Sequence, residues 1–174
     1  MKPALQTALF VLCLTPLVAN AAGKAHVHGI AKLDVAVEAT KITVQLESPL
    51  DNLLGYERAP RTDAERRQAD AMVARLKAGD AMFRIDPAAQ CTLGEVELAS
   101  SALKLGQPDP SEEGHADIDG TFEFNCADAT KATFIDVGLF EFKRMQRLEV
   151  QVAAPRGQFK RDLKRPAARI VLTK

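Results

Sequence analysis

The side chains best suited to chemistry in this chain are its three histidines, and they are not scattered. His26 and His28 stand one residue apart in "HVHGIAKLDVAVE", and His115 opens "HADIDG", where Asp117 and Asp119 follow at the same spacing. On a strand, alternate residues share a face and lie ~6.6 to 6.8 Å apart. Two imidazoles leaning together from such positions can bring ring nitrogens to the ~2.0 to 2.1 Å of a Zn²⁺ bond, and a third imidazole with a carboxylate completes a four-ligand shell. The candidate metal ligands are therefore His26, His28, His115 and Asp117, while the roles of Asp119 and Glu57 stay open. Each cluster alone also suits an ordinary polar strand face; what singles them out is that every histidine falls into one of two strand-phased groups. Mixed imidazole and carboxylate donors suit Zn²⁺ better than Cu(I), and competition between metals separates zinc from Cu²⁺ or Ni²⁺ at the same site. Because imidazole ligates only when neutral, binding is expected to weaken as pH falls through ~6.

Catalysis finds no comparable support. The sequence has no G-x-S-x-G elbow, no H-E-x-x-H, no Gly-rich phosphate loop and no dinucleotide fingerprint. A hydrolytic zinc site needs an open coordination position and a poised base, and no residue is marked out for that role. The chain reads as a binding protein, not an enzyme.

The elements that must position these side chains are mostly strands. From 26 to 38 the chain alternates, with Val27, Ala31, Leu33, Val35 and Val37 inward and His26, His28, Lys32, Asp34 and Glu38 outward. After Ala39-Thr40 the alternation resumes with Ile42, Val44 and Leu46 inward, which predicts a hairpin. "SPLDNLLGYERAPRT" is irregular, although Leu50, Leu53 and Leu54 suit one short helical turn. Thr62 and Glu65 form a capping box, Ala69, Met72, Val73 and Leu76 repeat at helical spacing, and Gly79 is read as the stop of this amphipathic helix. A short strand is expected at "AMFRI" and a longer one from Cys91, with a bulge at Gly94 where the phase shifts. The loop "GQPDPSEEG" is expected to be exposed. "HADIDGTFEFNC" alternates with Ile118, Phe122, Phe124 and Cys126 inward, followed by strands at "TFIDVG", "RLEVQVAAP" and "ARIVLTK" and a short helical segment at "LFEFKRM". Short connections and the absence of a βαβ rhythm predict an α+β, antiparallel sheet-rich domain with one main helix packed on the sheet.

Residues 1–21 carry one basic residue, an apolar run too short to span a bilayer and a terminal Ala-Asn-Ala, which together read as a secretory signal peptide. Residues 22–174 are then a single exported domain, not membrane-spanning once mature. Without Lys2 it holds 22 basic and 23 acidic residues, a balance that argues against nucleic acid as a partner. Only Cys91 and Cys126 remain after cleavage, and an even pair in an oxidising compartment is most simply a disulfide. The competing reading, two zinc thiolates, lacks C-x-x-C spacing.

The blocks "HVHGIAKLDVAVE", "LESPLDNLLGYERAPRTDAER", "CTLGEVEL", "HADIDGTFEFNC" and "GLFEFKRMQRLEVQV", in that order, resemble the ZrgA family of zinc-regulated periplasmic proteins associated with zinc uptake. The resemblance implies a periplasmic Zn²⁺-binding protein working with an ABC-type zinc importer or its solute-binding protein, and it sets His26, His28, His115 and Asp117 at the family's metal positions. Two departures stand out. Where members often carry a long His-rich insertion this chain has only "QPDPSEEG", and where they often carry a histidine after Glu57 it has Arg58, which cannot ligate a metal. The alternative is a non-metal envelope interaction module whose working surface is the loop at 48–61, binding a protein partner.

Overall fold

A computed structural model describes residues 27–106 and 116–173. The signal-peptide reading of 1–21, His26, the loop at 107–114 and His115 lie outside the described residues. Alternation makes the strands: β1 (Ile30–Val37) and β2 (Lys41–Pro49) form the expected hairpin, closed where the Glu38 amide donates to the Lys41 carbonyl. The first histidine segment departs from its expected phase. β1 begins at Ile30, and Val27 to Ile30 form a turn in which the Ile30 amide donates to the Val27 carbonyl. Gly29, at φ +81°, makes that turn. His28 therefore stands on a turn and not on a strand face, and Val27, expected inward, is 58 % exposed.

The loop after β2 does form a helical turn, α1 (Leu50–Leu54), ended by Gly55 in the left-handed conformation at φ +87° with its amide on the Asp51 carbonyl. Next comes α2 (Asp63–Lys77), opened by the predicted capping box, in which Thr62 accepts from the Glu65 amide and Glu65 accepts from the Thr62 amide. Ala69, Met72 and Leu76 are its buried stripe. Gly79 is not its left-handed stop: the C-cap is Ala78, and Gly79 starts the short α3 (Gly79–Met82). A Cβ at Gly79 would lie 2.9 Å from the Phe122 ring, so packing explains this glycine.

β3 (Phe83–Ile85) and β4 (Cys91–Ala99) follow, and the register of β4 slips between Leu93 and Val96, as the bulge reading of Gly94 required. β5 (Asp117–Cys126), β6 (Phe134–Val137) and β7 (Arg147–Ala154) match the expected strands. β8 (Gly157–Lys164) carries no apolar alternation to announce it, since "GQFKRDLK" buries only Leu163; such a charged strand suits a sheet edge. β9 (Arg169–Val171) ends the series.

Six strands form one sheet in the order β4-β5-β2-β1-β7-β8, and β3-β6-β9 form a second. The architecture is α+β and sheet-rich. One pairing departs from the antiparallel expectation: β1 and β7 are parallel. Short connections force antiparallel neighbours only between consecutive strands, and these two are far apart in the chain. The registers align rows across the sheet, such as Val152, Val35, Val44, Phe122 and Val96. The buried members of these rows join Met72 and Leu76 of α2 and Phe83 and Ile135 of the small sheet in one hydrophobic cluster. Cys91 and Cys126 are opposed in the β4–β5 register and disulfide-bonded. Among the described residues no helix is long and apolar enough to cross a membrane.

Candidate metal site

α1 organises the candidate site because it is bonded to the segments on both sides of it. The Asn52 side chain accepts from the Gly29 amide at 2.6 Å and donates to the Ile30 carbonyl at 2.7 Å, which fixes the turn bearing His28. The Leu50 amide donates to the carbonyl of Ala116, the residue after His115, at 2.8 Å. Asn52 is almost fully buried and also bonds Ser48 Oγ, so the link is a satisfied core interaction. Ser48 and Leu50 to Leu54 are buried, so the first half of the 48–61 loop is spent on the core and not on a working surface.

His28 is exposed, and two carboxylates close on its ring. Nε2 lies 2.8 Å from Glu57 Oε1, and Nδ1 lies 3.9 Å from Asp51 Oδ2. Neither was a predicted ligand. Asp51 is buried and held by Arg144, whose Nη2 donates to its two oxygens at 2.9 and 3.1 Å while Nε donates at 3.2 Å. This charge-assisted fork neutralises Asp51. The signal for Glu57 is faint: it stands 29 residues from His28 inside a stretch without period, and only the turn at Gly55 brings it back.

Asp117 stands at the start of β5, opposite Pro49, and is buried. Its phase is the expected one, on the face away from Ile118 and Phe122 and shared with Asp119, whose strand partner is Glu47. β2 lies between β1 and β5, so the backbones of Ile30 and Asp117 are separated by two strand spacings, roughly 10 Å. Among the described residues no group of three or more histidine, cysteine, aspartate or glutamate side chains forms a ready metal cage. His28 and Asp117 are the two predicted ligands that can be placed.

The segment after Glu57 is clamped to α2. Arg58 bonds both Glu65 oxygens at 2.9 and 2.7 Å and lies 4.7 Å over the Tyr56 ring, while the Tyr56 hydroxyl donates to the Glu65 carbonyl. The Gln68 amide caps the Leu54 carbonyl at 2.9 Å. Arg58 is thus a structural clamp whose charge is matched by Glu65. Its guanidinium first, then the Arg61 and Thr62 backbone amides, hold the Glu65 carboxyl down from its ordinary 4.5 to about 2. A carboxyl depressed in the folded state lends stability that is complete above the unfolded value and disappears as pH falls through the folded one. Glu65→Gln, which keeps the cap return bond, is therefore expected to melt below the wild type at neutral pH. Thermal scans should show this gap closing between pH 4.5 and about 2; a gap constant with pH would count against the clamp.

The comparisons with known proteins bear on what this site handles. No curated protein matches the chain. The sequence model described as ZrgA family zinc uptake protein matches residues 25–172. That span contains His28 and its neighbours, α1 and both sheets. The chain belongs to the ZrgA family of zinc uptake proteins.

Proposed function

We propose that this protein is exported to the periplasm after loss of residues 1–21, and that residues 22–174 act there as one domain binding Zn²⁺ for uptake. One cation is held by His26, His28, His115 and Asp117, and the protein hands zinc to or receives it from an ABC-type importer or its solute-binding protein. The role is binding, not catalysis. The observation that carries this reading is the double attachment of α1, through Asn52 to the turn of His28 and through the Leu50 amide to the residue after His115. Two histidine segments remote in sequence are thereby tied to the same five-residue helix. Membership of a zinc uptake family supplies the metal.

Calorimetric titration of metal-stripped, tag-free mature protein tests the proposal. One Zn²⁺ per chain is expected. His28→Ala and His115→Ala should each lower affinity by more than about 100-fold, beyond the ~10 to 100-fold typical of outer-shell losses. Zinc affinity unchanged in both variants would rule the shell out.

A further inference from the structure

We infer that Glu57 is a further Zn²⁺ ligand, acting beside Nε2 of His28; the inference rests on the zinc-binding reading above and adds a residue to its site. The geometry is the first argument. Added to the four donors above, Glu57 makes the ion five-coordinate, and neighbouring ligands at ~2.0 to 2.1 Å then stand about 2.9 to 3.3 Å from each other. Nε2 of His28 and Oε1 of Glu57 are 2.8 Å apart, so an opening of at most about half an ångström admits the ion between them.

Charge is the second argument. Of the two carboxylates on the His28 ring, Asp51 is already matched by Arg144 on three contacts, whereas Glu57 has His28 before it. The surplus negative charge therefore sits on the Glu57 side of the ring, at Nε2. With zinc on Nε2, the ring proton belongs on Nδ1, which faces the Asp51 carboxylate at 3.9 Å. Closing that gap by about 1 Å gives the metal–histidine–carboxylate arrangement that fixes ligating imidazoles.

The third argument is the effort spent on holding Glu57 in place. An exposed histidine–carboxylate pair stabilises a fold very little, and side-chain exposures of 61 % and 37 % make this such a pair. Yet Glu57 is flanked by fixed points. Gly55 turns the chain in the left-handed conformation, and Tyr56 and Arg58 are both bonded to Glu65. Preorganisation of this kind is what a ligand needs and a surface ion pair does not. Both partners remain open to solvent, which suits a cargo ion that must enter and leave.

The experiment compares wild type, Glu57→Gln, Glu57→Asp and His28→Ala by zinc calorimetry and by the visible absorption of the Co²⁺-loaded proteins. Glu57→Gln removes the charge from an exposed side chain, so the apo variant should melt like the wild type. Its Zn²⁺ affinity should fall about 10 to 100-fold and its Co²⁺ bands should change, with Glu57→Asp recovering part of both. Wild-type affinity and an unchanged Co²⁺ spectrum in Glu57→Gln, alongside a loss in His28→Ala, would overturn Glu57 as a ligand and leave the histidine shell standing. A wild-type protein that binds no zinc would overturn the zinc reading itself, and this inference with it.

Discussion

Replacing Phe122 by alanine is expected to lower the unfolding free energy by about 3 to 5 kcal/mol, the range for deleting a fully buried aromatic ring. Phe122 is completely buried in β5, and its ring meets Phe83 of β3 edge-to-face with centroids 4.9 Å apart. The pair thus joins the six-stranded sheet to the three-stranded one. α3 starts against the same ring, because Gly79 leaves no room for even a methyl group there. Two elements, β3 and α3, therefore lose a partner at once, and the backbone around a sheet-to-sheet junction has little freedom to collapse into the void. Urea denaturation followed by circular dichroism measures the effect. Phe122→Leu, which keeps most of the apolar volume, should cost much less. A loss under about 1 kcal/mol for the alanine variant would mean that the junction is not packed around this ring.

The parts of this fold that were legible in the sequence are those set by local chemistry. Strand alternation identified the inward residues of β1, β2 and β5, and the Thr62–Glu65 box marked where α2 begins. The phase slip at Gly94 gave the bulge in β4. Local pattern misled where one residue serves two ends. Gly79 sits where a helix stop belongs, but its reason is a distant aromatic ring. Gly29 was counted within an alternating run, yet its positive φ turns the chain and lifts His28 off the strand. The parallel β1–β7 pair and the edge strand β8 depend on long-range placement that no local period encodes.

The candidate site divides in the same way. Its imidazoles announce themselves by type and scarcity, since three histidines in two clusters are visible to anyone counting. Asp51, Glu57 and Arg144 do not, because acidic and basic residues are common and most of them face solvent. They become visible only when α1, its glycine cap and the segment before β7 fold against the turn of His28. Asn52 is the residue on which this assembly depends, as it spends its side-chain amide on the backbone of that turn.

Breaking the Cys91–Cys126 disulfide is expected to lower stability by about 4 kcal/mol while leaving zinc affinity essentially unchanged. The two cysteines are 35 residues apart in sequence, and the chain entropy that the unfolded state regains when a loop of that length is opened gives this magnitude. In the folded state they are opposed in the β4–β5 register, so the bond closes a pairing the strands already make. Separation of the two effects follows from position along β5. Asp117 opens the strand and Cys126 ends it, nine residues on, which is about 30 Å of extended chain. The residues between them remain paired with β2, and that pairing, not the disulfide, positions the Asp117 end beside Pro49 and α1. The measurement is urea unfolding of wild type and of the Cys91→Ala/Cys126→Ala double variant, followed by zinc titration of both under conditions where each is folded. A double variant as stable as the wild type would contradict the loop-entropy argument. A double variant that is folded but has lost its zinc affinity would mean that the cystine end of β5 governs the distant metal end, contrary to the register through which the sheet is built.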